Sequence, residues 1–314
     1  MKQNNTLPIM AGLLGAIIVG LSFLFLKNIV SEASALSILS YRFTIAFMAM
    51  TIFILFKIIK VNFRNKPVLP LILFSLIQPV LAFSFQTYGM KYATSSEAGI
   101  ITSLLPIFVM VFASLFLKES TSLIQKGSIL LSAGGVIYIG FMSGVEGESN
   151  LIGFILILLS VISMAFYSIL ARKYSKQFSP LELTFAMMGI GMVMFNFILF
   201  VSPDKADFSL ILEPYFMLSI LYLGVFASVI SSFLTNYMIA KIGASQSGVF
   251  VNLSTIVSII AGVFILNEAF YSYHLIGTML IIIGVIGANM KHANNKSFSN
   301  KSNNVIRGII IKNE

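Results

Sequence analysis

The sequence predicts an all-α integral membrane fold of ten transmembrane helices, arranged as two five-helix repeats of inverted topology. Three observations predict it. The chain is 58% hydrophobic and only 10% charged, with a mean hydropathy of +0.97. A soluble domain carries about 25% charged residues, so this chain lacks the polar groups to clothe a soluble protein of its size. The apolar residues fall into blocks of about 20, the length that crosses a hydrocarbon core of about 30 Å. The second half repeats the first at an offset of 149 residues.

Ten apolar runs, separated by charges, define spans 1 to 10 at 7–26, 36–56, 68–90, 95–117, 126–143, 151–170, 180–201, 214–239, 245–266 and 274–290. Span 1, Leu7 to Leu26, carries no charge. It is longer than the core of a secretory leader, about 7–15 residues, so it reads as a retained helix. Lys2 and the small residues Ala33, Ser34 and Ala35 do imitate a leader. The connections are short, so neighbouring spans pack antiparallel and leave no room for a soluble domain. Residues 1–143 form the first five-helix unit and 151–290 the second. Residues 291–314, rich in Asn, Ser and Lys, read as a flexible basic tail.

Orientation follows from Lys and Arg placement. The net charge of +9 could point to nucleic acid in a soluble protein. Here it sits in alternate loops. The N-terminus and the loops on its side collect sixteen of the twenty Lys and Arg; the other side has Lys27, Lys91 and Lys205, and Arg42 lies within span 2. Both termini are therefore expected in the cytoplasm, with the chain in the cell membrane and no nucleic acid partner. One missed helix would scramble this parity.

The repeat is carried by ungapped matches. Tyr88, Ser96, Gly99, Leu104, Ile107, Leu117 and Glu119 recur as Tyr237, Ser245, Gly248, Leu253, Ile256, Leu266 and Glu268. One residue inserted after Glu268 would bring Gly127 onto Gly277 and Gly134 onto Gly284. Five helices is an odd number, so the second unit enters the membrane upside down. Inverted repeats are a signature of secondary transporters, whose binding sites lie near the midplane between the repeats.

The stretch "LLPIFVMVFASLFLKE" followed by a Gly-rich fifth span, and "VSIIAGVFILNE" followed by another, resemble the EamA-type family of the drug/metabolite transporter superfamily. The resemblance covers about residues 7–290. It implies a basket around a central cavity lined mainly by spans 1, 3, 4, 6, 8 and 9, and export of small metabolites, amino-acid-like compounds or drugs. The chain departs from the pattern at Thr255, which answers Pro106, and at Lys118 and Asn267, where Gly is common before the repeated Glu.

Other chemistries lack their residues. With no cysteine there is no disulfide, thiol catalysis or thiolate metal site. His274 and His292 both lie near span ends. There is no GxxxxGK[ST] loop for ATP, no HExxH, and no Asp within any span. No enzyme activity, cofactor or metal is expected. The expected partners are a small-molecule substrate and the bilayer, with the chain a monomer or homodimer. The competing reading is a membrane-embedded sensor or scaffold that binds a small molecule without moving it.

Polar side chains within lipid should face other helices or a watery cavity. Ser228, Ser231, Ser232, Thr235 and Asn236 form one stripe on span 8. They line the cavity or act as interhelical glue. Spans 4 and 9 carry matching stripes, Ser96, Gly99, Ser103, Pro106 and Ala113 against Ser245, Gly248, Asn252, Thr255 and Gly262. Pro106 cannot donate to the Thr102 carbonyl, which leaves that oxygen for a ligand, a water or a neighbour. Ser103, Pro106, Asn252 and Thr255 are the expected midplane lining. Span 3 offers Gln78 and Gln86; span 6 offers Ser160, Ser163 and Tyr167.

Four charged residues are candidates for gating or coupling. Arg42 lies six residues inside span 2, about 9 Å by helical rise. It binds carbonyls or an acidic group, or steers an anionic substrate. Glu97 opens span 4, either as an interfacial carboxylate or as a proton site. Glu119 and Glu268 are repeat mates at opposite membrane faces, read either as helix-end carboxylates or as paired gates.

Overall fold

The computed structural model describes residues 6–117, 123–146, 150–203, 207–248 and 250–287. Regular structure among the described residues is helical, with no strand. Seven helical stretches are long and apolar enough to cross a membrane, and shorter apolar helices occupy Lys126–Met142, Val251–Ile265 and Ser272–Gly287.

Spans 1 and 2 become α1 (Thr6–Ile29) and α2 (Ala35–Leu55). Span 3 is not uniform. It runs as α3 (Val68–Ser75), a π-helical turn at Leu76–Ala82, and α4 (Phe83–Gly89). Pro79 lies in the wide turn, where its missing N–H and its ring prevent the regular bond to the preceding turn. Span 4 breaks at Ser103–Leu104, just ahead of Pro106, into α5 (Ser95–Thr102) and α6 (Leu105–Leu117). Spans 5, 6 and 7 are α7 (Leu123–Glu146), α8 (Leu151–Tyr174) and α9 (Pro180–Val201).

Span 8 repeats the pattern of span 3, with α10 (Pro214–Leu221), a π-helical stretch at Tyr222–Ile230, and α11 (Ser231–Ile242). Span 9 repeats the pattern of span 4, broken into α12 (Ala244–Gly248) and α13 (Val251–Ile265). Span 10 is α14 (Ser272–Gly287). Local chemistry sets several boundaries. Thr94 with Glu97 and Ser179 with Glu182 form capping boxes at the starts of α5 and α9. Gly243 turns the chain between α11 and α12 at φ +94°, ψ 163°, a conformation open to glycine alone.

The helices pack on two larger apolar clusters and a smaller third one. One gathers Phe23, Leu26 and Ile29 of α1 with Ile38, Ile100, Ile157 and Leu223. The other gathers Leu39, Phe43, Phe74, Tyr167, Met187 and Phe195. Large apolar side chains such as Leu13, Phe53, Phe141, Phe200 and Phe264 stay exposed around the outside. Helices apolar on every face are what lipid solvation requires.

Three close crossings organise the interior. α1 lies on α13, where a Cβ on Gly20 would sit 2.7 Å from the Ser254 carbonyl oxygen. α5 lies on α13, where a Cβ on Gly99 would sit 2.5 Å from Ser258 Oγ. α7 meets α14 through Gly135, Gly277 and Gly284. The inserted residue expected from the sequence does not describe this last contact. Gly135 abuts Gly277 and Ile281, while Gly284 abuts Ser128 and Ser132. Those partners correspond at the unchanged offset of 149, and Gly134 faces open space.

Strain and space make separable predictions. Gly243→Ala should cost about 1–3 kcal/mol, because an L-residue is strained at that φ although nothing crowds its Cβ. Gly134→Ala should leave stability unchanged or raise it by up to about 1 kcal/mol. Thermal unfolding of the two variants in detergent should move in these different directions.

Candidate functional site

The discontinuous spans 4 and 9 cross each other, and several of their polar groups bond across the crossing. Thr255 donates its hydroxyl to the Gly99 carbonyl at 2.8 Å. Ser258 donates to the Ser95 carbonyl at 2.6 Å. The Glu268 carboxylate accepts from the backbone N–H groups of Ser95 (2.6 Å) and Ser96 (2.9 Å) and from the Ser96 hydroxyl (2.7 Å). The start of a helix carries unsatisfied N–H groups and a partial positive charge, so a carboxylate is well placed there. Gly262 makes room for it, since a Cβ there would overlap Glu268 and Ser96.

A second buried group surrounds this cap. Glu97 closes its capping box by accepting from the Thr94 N–H at 3.0 Å. His274 Nε2 stands 3.7 Å from Glu97 Oε1, with both side chains almost wholly buried. The Tyr271 N–H donates to His274 Nδ1 at 3.3 Å. Lys27 reaches across to donate to the carbonyls of Ala93 (2.7 Å) and Met90 (3.2 Å).

Deeper in the molecule two nodes link spans 2, 3, 6, 7 and 8. Arg42 is 2% exposed; its Nε donates to Ser228 Oγ at 2.8 Å, and its guanidinium carbon lies 4.2 Å from the Phe83 ring centroid. Ser228 in turn donates to the Leu223 carbonyl within the π-helical stretch. The charged pair among the described residues is Lys66–Glu182, and no described carboxylate neutralises Arg42. Cation–π contact offsets about 2 kcal/mol of burying such a charge when the pair is desolvated. In the other node the Tyr167 hydroxyl donates to Asn236 Oδ1 at 2.5 Å, and Asn236 Nδ2 donates to Thr184 Oγ1 at 3.2 Å.

The residues singled out from the sequence therefore fall into distinct settings. Ser103 lies at the break of span 4, fully buried, with its hydroxyl turned back to the Ile100 carbonyl. Pro106 packs against Gly248. Ser231 and Ser232 are buried on α11, and Thr235 borders a small cavity of about 50 Å³ shared with Gly12, Gly15, Leu105, Ser168, Val251 and Ser254. Gln78 is half-buried on the first π-helical turn and Gln86 buried on α4, both in segments that pack on α8. Asn252 is half-buried, and its Oδ1 is buried without a hydrogen-bond partner. Glu119 lies outside the described residues.

Sequence reasoning missed Ser95, His274 and Thr184. The Thr94-x-x-Glu97 spacing was a legible cap signal; the other three depend on contacts between distant spans. A larger cavity of about 730 Å³ lies elsewhere, between α2, α9 and α10, and none of the residues singled out from the sequence lines it.

The EamA-like transporter family matches residues 6–141 and 151–290. The uncharacterized transporter YcxC of Bacillus subtilis is 46% identical over 295 residues, covering 92% of this chain and 95% of that protein. An uncharacterized transporter of Archaeoglobus fulgidus is 27% identical over 267 residues, covering 85% of this chain and 92% of its own. A solved crystal structure superposes with a TM-score of 0.61 at 18% identity, covering 90% of this chain and 96% of the other.

Glu268→Ala should lower the thermal midpoint in detergent, by the equivalent of about 1.5–3 kcal/mol, because two helix-start N–H groups and a hydroxyl lose a charged acceptor. Glu268→Gln, which keeps one acceptor oxygen, should fall between it and the parent.

Proposed function

The chain belongs to the EamA-like transporter family and is a multi-pass membrane transporter rather than an enzyme; on that premise we propose that it is a secondary transporter exporting small metabolites, amino-acid-like compounds or drugs, by alternating access. Its working parts are two inverted five-helix repeats, residues 1–143 and 151–290, with both termini in the cytoplasm.

One observation carries this reading, the exchanged contacts between the halves. Gly99 meets Thr255, and Gly248 meets Pro106. Each residue is 149 away from its counterpart in the other contact. Gly135 with Ile281 and Gly284 with Ser132 exchange in the same way. Reciprocal pairs of this kind characterise two-fold arrangements. The paired π-helical segments and the paired breaks of spans 4 and 9 add to the support. Two copies of one bundle in opposite orientation can exchange conformations and open one side, then the other.

The proposed substrate region lies at the broken spans. Asn252 is its best-supported member, since a buried amide oxygen without a partner costs free energy until a ligand or a rearrangement satisfies it. Thr235, Tyr167 and the span 8 serines stand behind it, with Ser103 and Thr255 holding the breaks. Arg42, a buried cation without a described carboxylate, suits a substrate that bears an anionic group. Glu268 on the outer face and Glu119 on the cytoplasmic face are the proposed paired gates.

Flux in proteoliposomes, with candidate substrates taken from a metabolite-toxicity screen in an overexpressing strain, tests the reading. Asn252→Ala should lower transport at least ten-fold at normal protein level; unchanged resistance in that strain would count against the midplane site. Binding without flux would identify a sensor instead. Glu119→Gln and Glu268→Gln should bias cysteine labelling toward opposite faces, and equal effects would remove the gate pair. If Glu97 carries the coupling proton, Glu97→Gln should flatten the pH dependence of uptake; a profile like the parent's would exclude that role.

A further inference from the structure

Two connecting segments lie side by side where α2 ends and α9 begins, residues 56–67 after α2 and residues 175–179 between α8 and α9. Lys66 Nζ meets Glu182 Oε2 at 2.6 Å, and the Asn62 N–H donates to the other oxygen of that carboxylate at 3.2 Å. Lys66 Nζ also stands 5.7 Å from the Phe178 ring centroid, and the Phe63 ring lies 6.2 Å from Phe185. Glu182 in turn closes the capping box of α9. Residues 56–67 are thus fastened to the start of a helix.

These segments hold cations that the protein itself leaves unpaired. Across 56–67 and 172–182 the sequence has Lys57, Lys60, Arg64, Lys66, Arg172, Lys173 and Lys176, against the single acid Glu182. Glu182 goes to Lys66, and Arg172 donates to the carbonyls of Ile239 and Ala240, both at 3.0 Å. Lys57, Lys60, Arg64, Lys173 and Lys176 stay exposed, and no described carboxylate pairs with them.

Apolar side chains are exposed beside them. Leu55, Phe56 and Ile58 are 73%, 75% and 67% exposed, at and just past the last turn of α2. Apolar groups between cations at a span end suit the boundary of headgroups and acyl chains rather than bulk water. Lys57 adds an independent sign. The Ile58 N–H bonds the Phe53 carbonyl and the Lys57 N–H bonds the Ile54 carbonyl, both at 2.9 Å. That is the Schellman ending, with Lys57 at φ +58° in the place usually held by glycine. A side chain is strained there and glycine is not. The helix dipole favours a cation in the last turn, but it does not reach Lys60 or Arg64.

We infer that this platform is a binding surface for anionic phospholipid headgroups. The lipid phosphates lie against Lys57, Lys60 and Arg64, with Lys173 and Lys176 completing the cluster, and Phe56 and Ile58 enter beside the acyl chains. Clusters of about 4–8 juxtamembrane cations attract anionic leaflets, and the exposed apolar neighbours favour lipid over a soluble polyanion. The inference needs only that the segments meet a membrane surface, and it stands apart from the transport reading.

The chain has no tryptophan, so Phe56→Trp places a single fluorescent reporter on the platform. In proteoliposomes, dibrominated phosphatidylglycerol at low mole fraction should quench it as if enriched about ten-fold over dibrominated phosphatidylcholine. The preference should saturate, and added salt should weaken it. In that background Lys60→Gln with Arg64→Gln should bring the two lipids close to parity. Lys57→Gly should lower the preference about five-fold, the worth of one cation near an anionic surface, while raising the thermal midpoint by about 2 °C as the strain is removed. It carries the test if the double variant does not fold. Equal quenching by the two lipids overturns the inference, as does a preference that persists in whichever variants fold. Loss of the preference to inorganic phosphate at matched ionic strength assigns the cations to a soluble anion and also overturns it.

Discussion

The crossing of α5 with α13 is the contact on which the rest of the structure depends. In hydrocarbon, helices gain nothing from hydrophobic burial against one another, so they associate through close packing and interhelical hydrogen bonds. Here both occur at one place. Gly99 lets the backbones approach, and Thr255, Ser258 and Glu268 then bond backbone groups of the opposite helix. The hydroxyls that look like lining in a stripe are structural bonds in this conformation. A conformational change at this crossing must give them up or exchange them.

Non-helical backbone within a membrane is tolerated only where protein or a cavity satisfies it. This chain has two broken spans and two π-helical segments, and one of each has a visible accommodation. Ser103 returns its hydroxyl to the turn before the break of span 4. Ser228 does the same across five residues in the second π-helical stretch, while also receiving Arg42.

The two halves share geometry and differ in filling. Contacts between spans 4 and 9 and between spans 5 and 10 exchange partners at an offset of 149, yet Pro106 of one half stands where the other has Thr255. Backbone correspondence and side-chain divergence are separate layers. The first is shared between the halves, and the second makes the halves chemically distinct.

The sequence by itself determined that the chain is a helical membrane protein and which of its blocks are apolar enough for lipid. Composition and block length are properties of single segments, and lipid solvation acts on each segment separately. Pro106 marked the irregular turn of span 4, because that effect is also local. The tertiary structure decided where each polar side chain spends its hydrogen bonds. Thr255 and Ser103 belong to matching stripes, yet one bonds another helix and the other its own turn. It also decided that Glu268 caps α5, that His274 stands against Glu97, and that Gly135 rather than Gly134 meets α14. The cavity between α2, α9 and α10 was invisible in the chain because its walls come from three spans, and an empty space leaves no residue pattern. Periodicity shows which face of a helix is polar, but the partner of that face is fixed only when the helices cross.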